Sequence, residues 1–207
     1  MDCDRKLLLL ASSGISLIRI YNWMQPWVTL GRFQDPESAL IGANVPYSIR
    51  PTGGSAVLHG HDITVSIALP LAVLNLGRTR SVREAYRAVT KPILLSLRSC
   101  GVSATLAEDA GIIESNRIAD CFASKSRNDI ISLESGSKIC GCAQVLDRQG
   151  YLLQASIPYK EPEEVPSSWI NGYSIHEISP WNYVAFPEKF VSIFESWVKE
   201  MVEKLEQ

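Results

Sequence analysis

The chain has 207 residues, 46% hydrophobic and 20% charged, enough for one well-filled core and too apolar for wholesale disorder. Its formal net charge of −2 excludes a general nucleic-acid binder, and the absence of any run of 18 apolar residues argues against a membrane span. Five cysteines, an odd number, argue against a disulfide scaffold, and the acidic start before a short apolar stretch is a poor signal peptide. A reducing cytoplasm is the expected location.

Taken in chain order, residues 4–11 predict a short helix. Ser16 to Tyr21 and Trp27 to Leu30 predict two strands, and Ser38 to Gly42 a helical turn. Tyr47 to Arg50 is strand-like. Two β-rich runs, Ala56–His59 and Ile63–Leu69, flank Gly60-His61-Asp62 and predict a hairpin. Residues 81–100 predict a helix: Ser81 and Glu84 form a capping-box pattern, and Tyr86, Val89, Ile93 and Leu97 recur at helical spacing. Pro92 falls inside that pattern and is expected to kink or split it. Asp129–Leu133, Lys138–Leu146 and Tyr151–Pro158 predict a three-stranded meander, and the proline-rich stretch 161–187 an irregular segment. Residues 188–205 predict an amphipathic helix with Phe190, Phe194, Trp197, Met201 and Leu205 on one face. Helices on a mixed or antiparallel sheet make an α+β fold, expected as a single domain over 1–207 without a C-terminal accessory domain.

Three stretches bear residues suited to chemistry. In Arg50-Pro51-Thr52-Gly53-Gly54-Ser55-Ala56-Val57-Leu58-His59, adjacent glycines let a backbone pass close to a ligand, and Arg50 suits a phosphate or carboxylate. A strand rather than a helix follows, which excludes a Walker loop and a dinucleotide fingerprint; a plain turn at a sheet corner explains the glycines equally well. The second stretch is Cys121-Phe122-Ala123-Ser124-Lys125-Ser126-Arg127-Asn128-Asp129-Ile130. Cys121 suits a nucleophile, or simply a small buried hydrophobe. In the third, Gly136-Ser137-Lys138-Ile139-Cys140-Gly141-Cys142-Ala143-Gln144, a buried Lys138 requires an anionic partner and would polarise a developing oxyanion, whereas a snorkelling strand-end lysine requires none. Cys140 and Cys142 share one face of a strand. Neither they nor the three histidines give a zinc-finger spacing, and small core packing accounts for them. Arg80, Arg83, Arg87 and Lys91 line one helix face, a surface for an acidic partner or an ordinary solvated stripe.

These three stretches, in this order, resemble the biotin/lipoate A/B protein ligase superfamily, in its lipoate–protein ligase and octanoyltransferase branch. The resemblance runs from about residue 4 to residue 157. Trp23, with Gly31 eight residues on and Phe33-Gln34 after it, is similar to the family's N-terminal strand and turn. Arg50-Pro51-Thr52-Gly53-Gly54 with Ala56-Val57-Leu58-His59 resembles its lipoate-binding loop. Gly136-Ser137-Lys138 with Gly141-Cys142-Ala143-Gln144 resembles the segment that carries its lysine.

The resemblance implies a catalytic domain with a central sheet and flanking helices, of the fold group of class II synthetase cores. It implies transfer of a lipoyl or octanoyl group to a lysine of a lipoyl domain, in 2-oxoacid dehydrogenase complexes or the glycine-cleavage H protein. Ser126-Arg127-Asn128-Asp129-Ile130 is similar to the ligases' motif. Asp129 then serves ATP and magnesium, Asn128 the nucleotide, and Lys138 the α-phosphate and acyl carbonyl. Ser55, Ala56, His59, Gly141 and Ala143 complete the expected binding set. This ligase reading, through a lipoyl-adenylate, is the one the motif favours. Cys121-Phe122 is similar to the motif of cysteine-dependent octanoyltransferases, in which Cys121 carries the acyl group received from an acyl carrier protein. Departures from the family pattern are Ile49 where a first arginine usually stands, Ser55 at the third glycine, and Leu153-Gln154-Ala155-Ser156-Ile157 without a histidine. They leave open a ligase that needs a separate accessory chain, or a non-catalytic module that binds lipoyl domains through the basic stripe.

Overall fold

The computed structural model describes residues 2–42, 44–75, 81–114, 119–148, 150–162, 168–173 and 186–206. Helix α1 (Asp2–Ser12) buries Asp4, Leu8 and Ala11, spaced as one helical face. Strands β1 (Leu17–Asn22) and β2 (Trp27–Leu30) follow, then the short α2 (Pro36–Ala39) capped by Asp35. Next come β3 (Tyr47–Ile49), β4 (Val57–His59), β5 (Asp62–Leu69) and a single turn, α3 (Leu71–Leu74). Helix α4 (Val82–Ser99) leads to β6 (Ala104–Leu106) and a 3-10 turn at Cys121–Ala123. Strands β7 (Ile130–Ser132), β8 (Lys138–Leu146) and β9 (Tyr151–Pro158) precede the last helix, α5 (Phe186–Glu206).

The strands form two sheets. The larger runs β1-β5-β9-β8-β7-β6, antiparallel throughout, and the smaller runs β3-β2-β4 with β2 and β3 parallel. The α+β class and the β7-β8-β9 meander are therefore as expected. The predicted hairpin is not formed. β4 pairs with β2 in the small sheet and β5 with β1 and β9 in the large one. Gly60, at φ +112°, turns the chain from one sheet into the other, and Pro26 packs where a Cβ would stand.

Every residue of β5 and β9 is buried, because both faces of the sheet centre are covered. Ile63, Val65, Ile67 and Leu69 alternate toward a core with Val89, Ile93, Leu97, Phe190 and Phe194. The opposite face packs Ala68 and Leu152 against Leu8 and Ala11 of α1, and it also presents Thr64, Ser66, Gln154 and Ser156. Those polar residues supply the site described below.

Helix α4 keeps its capping box: the Ser81 amide donates to Glu84 at 2.7 Å and the Glu84 amide to Ser81 Oγ at 3.3 Å. It runs unbroken through Pro92, so the expected split does not occur. Its apolar stripe is pinned to the core on both sides of the proline, and tertiary burial outweighs the one lost backbone bond. On α5, Val198 takes the buried position expected of Trp197, which is half-exposed. Strand β6 and the turn α3 were not legible. Most of 161–187 lies outside the described residues, although Ile170 packs in a second cluster with Val28, Leu30 and Leu58.

Two buried groups set a pH dependence of stability. Burial opposes charge on His61 and lowers its pKa; Asp62 only partly offsets this. Burial also opposes charge on Asp62, but His59, its hydrogen bond and Ser156 hold that carboxyl below the usual carboxylate range. Both groups bind protons less readily folded than unfolded, so acid favours the unfolded chain. Thermal stability is expected to be level above pH 7 and to fall as pH drops through 6.5, the unperturbed histidine value, and again below 3.8, that of aspartate. In His61→Phe the first fall should shrink; a melting profile identical to wild type between pH 7 and 5 refutes this assignment.

Candidate active site

The three motif stretches meet on the polar face of the large sheet, beside β4. The Cys121 amide donates to the Ala56 carbonyl at 2.8 Å, and the Ala56 amide to the Ala119 carbonyl at 2.6 Å, a one-residue parallel ladder between the glycine loop and the cysteine turn. Asp120 caps that turn by accepting from the Phe122 amide at 3.2 Å. Lys138 Nζ lies 3.4 Å from Cys121 Sγ and donates to the Cys121 carbonyl at 2.7 Å and the Ser124 carbonyl at 3.3 Å. Its ionic partner is Asp129, at 2.8 Å, with side chains 3% and 1% exposed. Lys138 is thus a buried, paired ammonium rather than a snorkelling strand end. Burial works against its charge, but Cys121 and Asp129 more than offset it and raise its pKa. Burial pushes the Cys121 thiol up, and Lys138 and Arg50 pull it partly back. Gly141 makes the pairing sterically possible: a Cβ there would stand 3.2 Å from Cys121 Sγ and 3.3 Å from Lys138 Cε.

The glycine loop is held from beneath. Arg50 is only 4% exposed, and its guanidinium donates to the carbonyls of Thr29 (2.9 Å), Gly53 (2.8 Å) and Ser55 (2.6 Å). The expectation that Arg50 meets a phosphate or carboxylate is corrected accordingly: it braces the loop from within. Thr52 is also structural, its hydroxyl donating to Gln154 Oε1 at 2.7 Å, while Gln154 Nε2 reaches the buried Asp4 at 3.0 Å. Gly54 adopts φ +87°, and Gly31 packs so closely that a Cβ would lie 1.9 Å from the Gly54 carbonyl oxygen. Gly31→Ala must therefore displace the loop. We expect a loss of roughly 1–3 kcal/mol in denaturant unfolding, as for overpacked sites; an unchanged midpoint contradicts this packing.

His59 is buried between Asp62, whose carboxylate meets Nδ1 at 2.8 Å, and the Thr29 hydroxyl at Nε2, also 2.8 Å. Trp23 stacks on its ring at 4.4 Å. Ser156 and Thr64 donate to the same carboxylate at 2.7 and 3.1 Å. A cavity of about 30 Å³ lies between this network and the thiol, bordered by His59, Cys121, Gly141, Cys142, Ala143 and Gln154. Asp62, Thr29, Asp4 and Ser156 were missed from sequence. The readable signal was an aspartate three residues after a histidine, at the head of a strand that alternates apolar Ile63, Val65 and Ile67 with small polar Thr64 and Ser66.

Asp129 is fully engaged. Oδ2 accepts from the Ser126 amide at 2.6 Å and pairs with Lys138, and Oδ1 accepts from the Cys142 amide at 3.0 Å. Among the described residues no three His, Cys, Asp or Glu side chains gather as a metal site. This donor set does not fit a magnesium ion. Asn128 is buried with Oδ1 unpartnered, and Arg127 pairs with Glu108 at 2.9 Å. Two cations of the basic stripe are paired: Arg83 with Glu108, and Arg87 with Asp109 at 2.6 Å. Arg80 lies outside the described residues.

A family model described as the lipoyl protein ligase A/B catalytic domain matches residues 1–164. The chain is 35% identical over 163 residues to an octanoyltransferase LipM of Carboxydothermus hydrogenoformans, covering 74% of this chain and 57% of that protein. A LipM of an Exiguobacterium strain is 32% identical over 158 residues, 72% of this chain and 56% of that one. The chain thus spans little more than half the length of these curated relatives. Among solved structures, a lipoate-protein ligase A bound with ATP superposes with TM-score 0.64 at 16% identity, over 99% of this chain and 87% of that one. At such identity the likeness concerns the fold. On the family match and these relatives, the chain belongs to the lipoyl protein ligase A/B catalytic domain family.

Proposed function

We propose that this protein is a cysteine-dependent acyltransferase, moving an octanoyl group from a carrier-protein thioester to a lysine of a lipoyl-type domain. The observation that carries this reading is the Cys121 thiol 3.4 Å from a buried, paired ammonium at the wall of a cavity. The similarity to LipM octanoyltransferases supports it. It displaces the ligase reading that the Arg127-Asn128-Asp129 motif favoured, because Asp129 serves Lys138 and two backbone amides.

In the first half-reaction Cys121 Sγ attacks the thioester carbonyl. The carbonyl carbon gains a bond to Cys121 and loses its bond to the carrier sulfur, and the thiol proton ends on the departing carrier thiol. In the second, the acceptor lysine nitrogen attacks the new thioester, its C–S bond breaks, and a nitrogen proton returns to Cys121. The Lys138 ammonium stabilises the oxyanion of both steps. Arg50, Thr52 and Gly31 fix the loop that packs beside the reacting thiol.

A lipoate ligase is the second reading, supported by the unpartnered Asn128 Oδ1, an acceptor suited to a nucleotide amine. Two incubations with a lipoyl-type acceptor domain separate them by intact mass. An octanoyl gain from octanoyl carrier protein without ATP is the expected result. A lipoyl gain only with lipoate, ATP and magnesium overturns it in favour of the ligase.

A further inference from the structure

Lys138 stands beside the acyl-enzyme that the proposed reaction forms. Its Nζ is 3.4 Å from Cys121 Sγ, within the separation of about 3–3.5 Å at which reacting groups stand before attack. A thioester on Cys121 therefore has an amine within reach before any acceptor arrives. Transfer to that amine is final, because an amide is far more stable than the thioester it replaces. The lysine that polarises the thioester is thus also the group best placed to capture its acyl chain.

What prevents capture is a proton. An ammonium has no lone pair and cannot attack a carbonyl. The three N–H bonds of Nζ meet three oxygens: Asp129 Oδ2 at 2.8 Å, the Cys121 carbonyl at 2.7 Å and the Ser124 carbonyl at 3.3 Å. The two carbonyls accept from a neutral amine as well, so the carboxylate is what favours the charged form. The Phe122 ring, 5.4 Å from Nζ, adds a weaker attraction. The other titratable groups that act on Lys138 are the thiols of Cys121 and Cys142, and Arg50 and Asp120 act in turn on Cys121. Acylation turns Cys121 into a neutral thioester and removes its share. Asp129 then holds the charge against burial. Its carboxylate is locked toward Nζ by the amides of Ser126 at 2.6 Å and Cys142 at 3.0 Å.

We propose that Asp129 is a positioning residue that keeps Lys138 protonated while Cys121 carries its acyl group, and so directs that group to the acceptor rather than to the enzyme itself. Without the carboxylate, the Lys138 amine attacks the thioester carbonyl. The C–N bond forms, the C–S bond breaks, and an amine proton passes to the Cys121 sulfur. The product is an inert octanoyl amide on Lys138. This inference rests on the acyltransfer reading, since it concerns the thioester which that reading places on Cys121.

The test incubates wild type and Asp129→Asn with octanoyl carrier protein, without acceptor or ATP, then maps tryptic peptides before and after neutral hydroxylamine, which strips thioesters. Wild type should carry a labile octanoyl group on the Cys121 peptide 118–125. Asp129→Asn should accumulate roughly tenfold or more of a resistant group on Lys138, marked by the uncut peptide 128–148, because acylation blocks cleavage there. Cys121→Ala/Asp129→Asn should retain none, because the group passes through the thiol. As much resistant amide in wild type as in Asp129→Asn, amide in the double variant, or a labile adduct in Asp129→Asn that never becomes amide overturns the proposal. Should Asp129→Asn fail to fold or to take the acyl group, wild type taken from about pH 8 to about pH 10.5 decides. The amide should form roughly tenfold faster per pH unit, as Lys138 gives up its proton, and no amide at the upper pH overturns the proposal. A wild type with no octanoyl group on Cys121 removes the acyltransfer reading and this inference with it, whereas a labile adduct without amide strikes this inference alone.

Discussion

Cys121→Ser should lower octanoyl transfer from carrier protein at least a thousandfold, with the fold intact. The substitution keeps volume and backbone bonding, including the Cys121 amide to Ala56 and the carbonyl that receives Lys138. What it removes is the thiol. A serine hydroxyl beside an ammonium remains protonated and is a poor nucleophile toward a thioester without a base, whereas cysteine is intrinsically reactive. His59 does not serve as that base, because both its ring nitrogens are engaged, with Asp62 and Thr29. Initial-rate measurement by acceptor mass checks the prediction. A serine variant within tenfold of wild type means that the acyl group never rests on residue 121.

The second large effect concerns the pair beneath it. Lys138→Met should abolish transfer and also cost roughly 3–5 kcal/mol of stability, because it strands Asp129 as a buried, uncompensated carboxylate. Asp129→Asn should cost a comparable amount by stranding Lys138. The double variant Lys138→Met/Asp129→Asn should be more stable than either single variant, since no buried charge remains, yet stay inactive. Chemical denaturation of the four proteins reads this directly. Additive losses in the double variant would show that the two groups do not depend on each other, contrary to their 2.8 Å contact at 3% and 1% exposure.

Much of this was legible before any coordinates. The apolar periods of α4 and α5 are strong local signals, and they placed the helical side of the core. The hairpin misreading at Gly60-His61-Asp62 shows the limit. Local turn chemistry reports a reversal of the chain but not which strands pair afterwards, and here β4 and β5 part into separate sheets. The site followed the same rule. Cys121, Lys138 and the glycine loop were picked out by residue type and Gly141 by the family resemblance, and the fold brings them together. The roles of Arg50 and Asp129 were not legible, because a charged side chain near a glycine loop looks alike whether it faces a ligand or ties down its own backbone. Asp4 reaches Gln154 across 150 residues of sequence, a pairing that only the folded chain brings about.

The central claim is that acyl transfer passes through a thioester on Cys121. The most direct measurement mixes the protein with octanoyl carrier protein, without acceptor and without ATP, quenches in acid within seconds, and maps the mass gain by peptide. The account predicts one octanoyl group on the peptide carrying Cys121, lost on neutral hydroxylamine and discharged when acceptor domain is added. Full transfer to acceptor with no such adduct at any time, or an adduct that acceptor does not discharge, would contradict it.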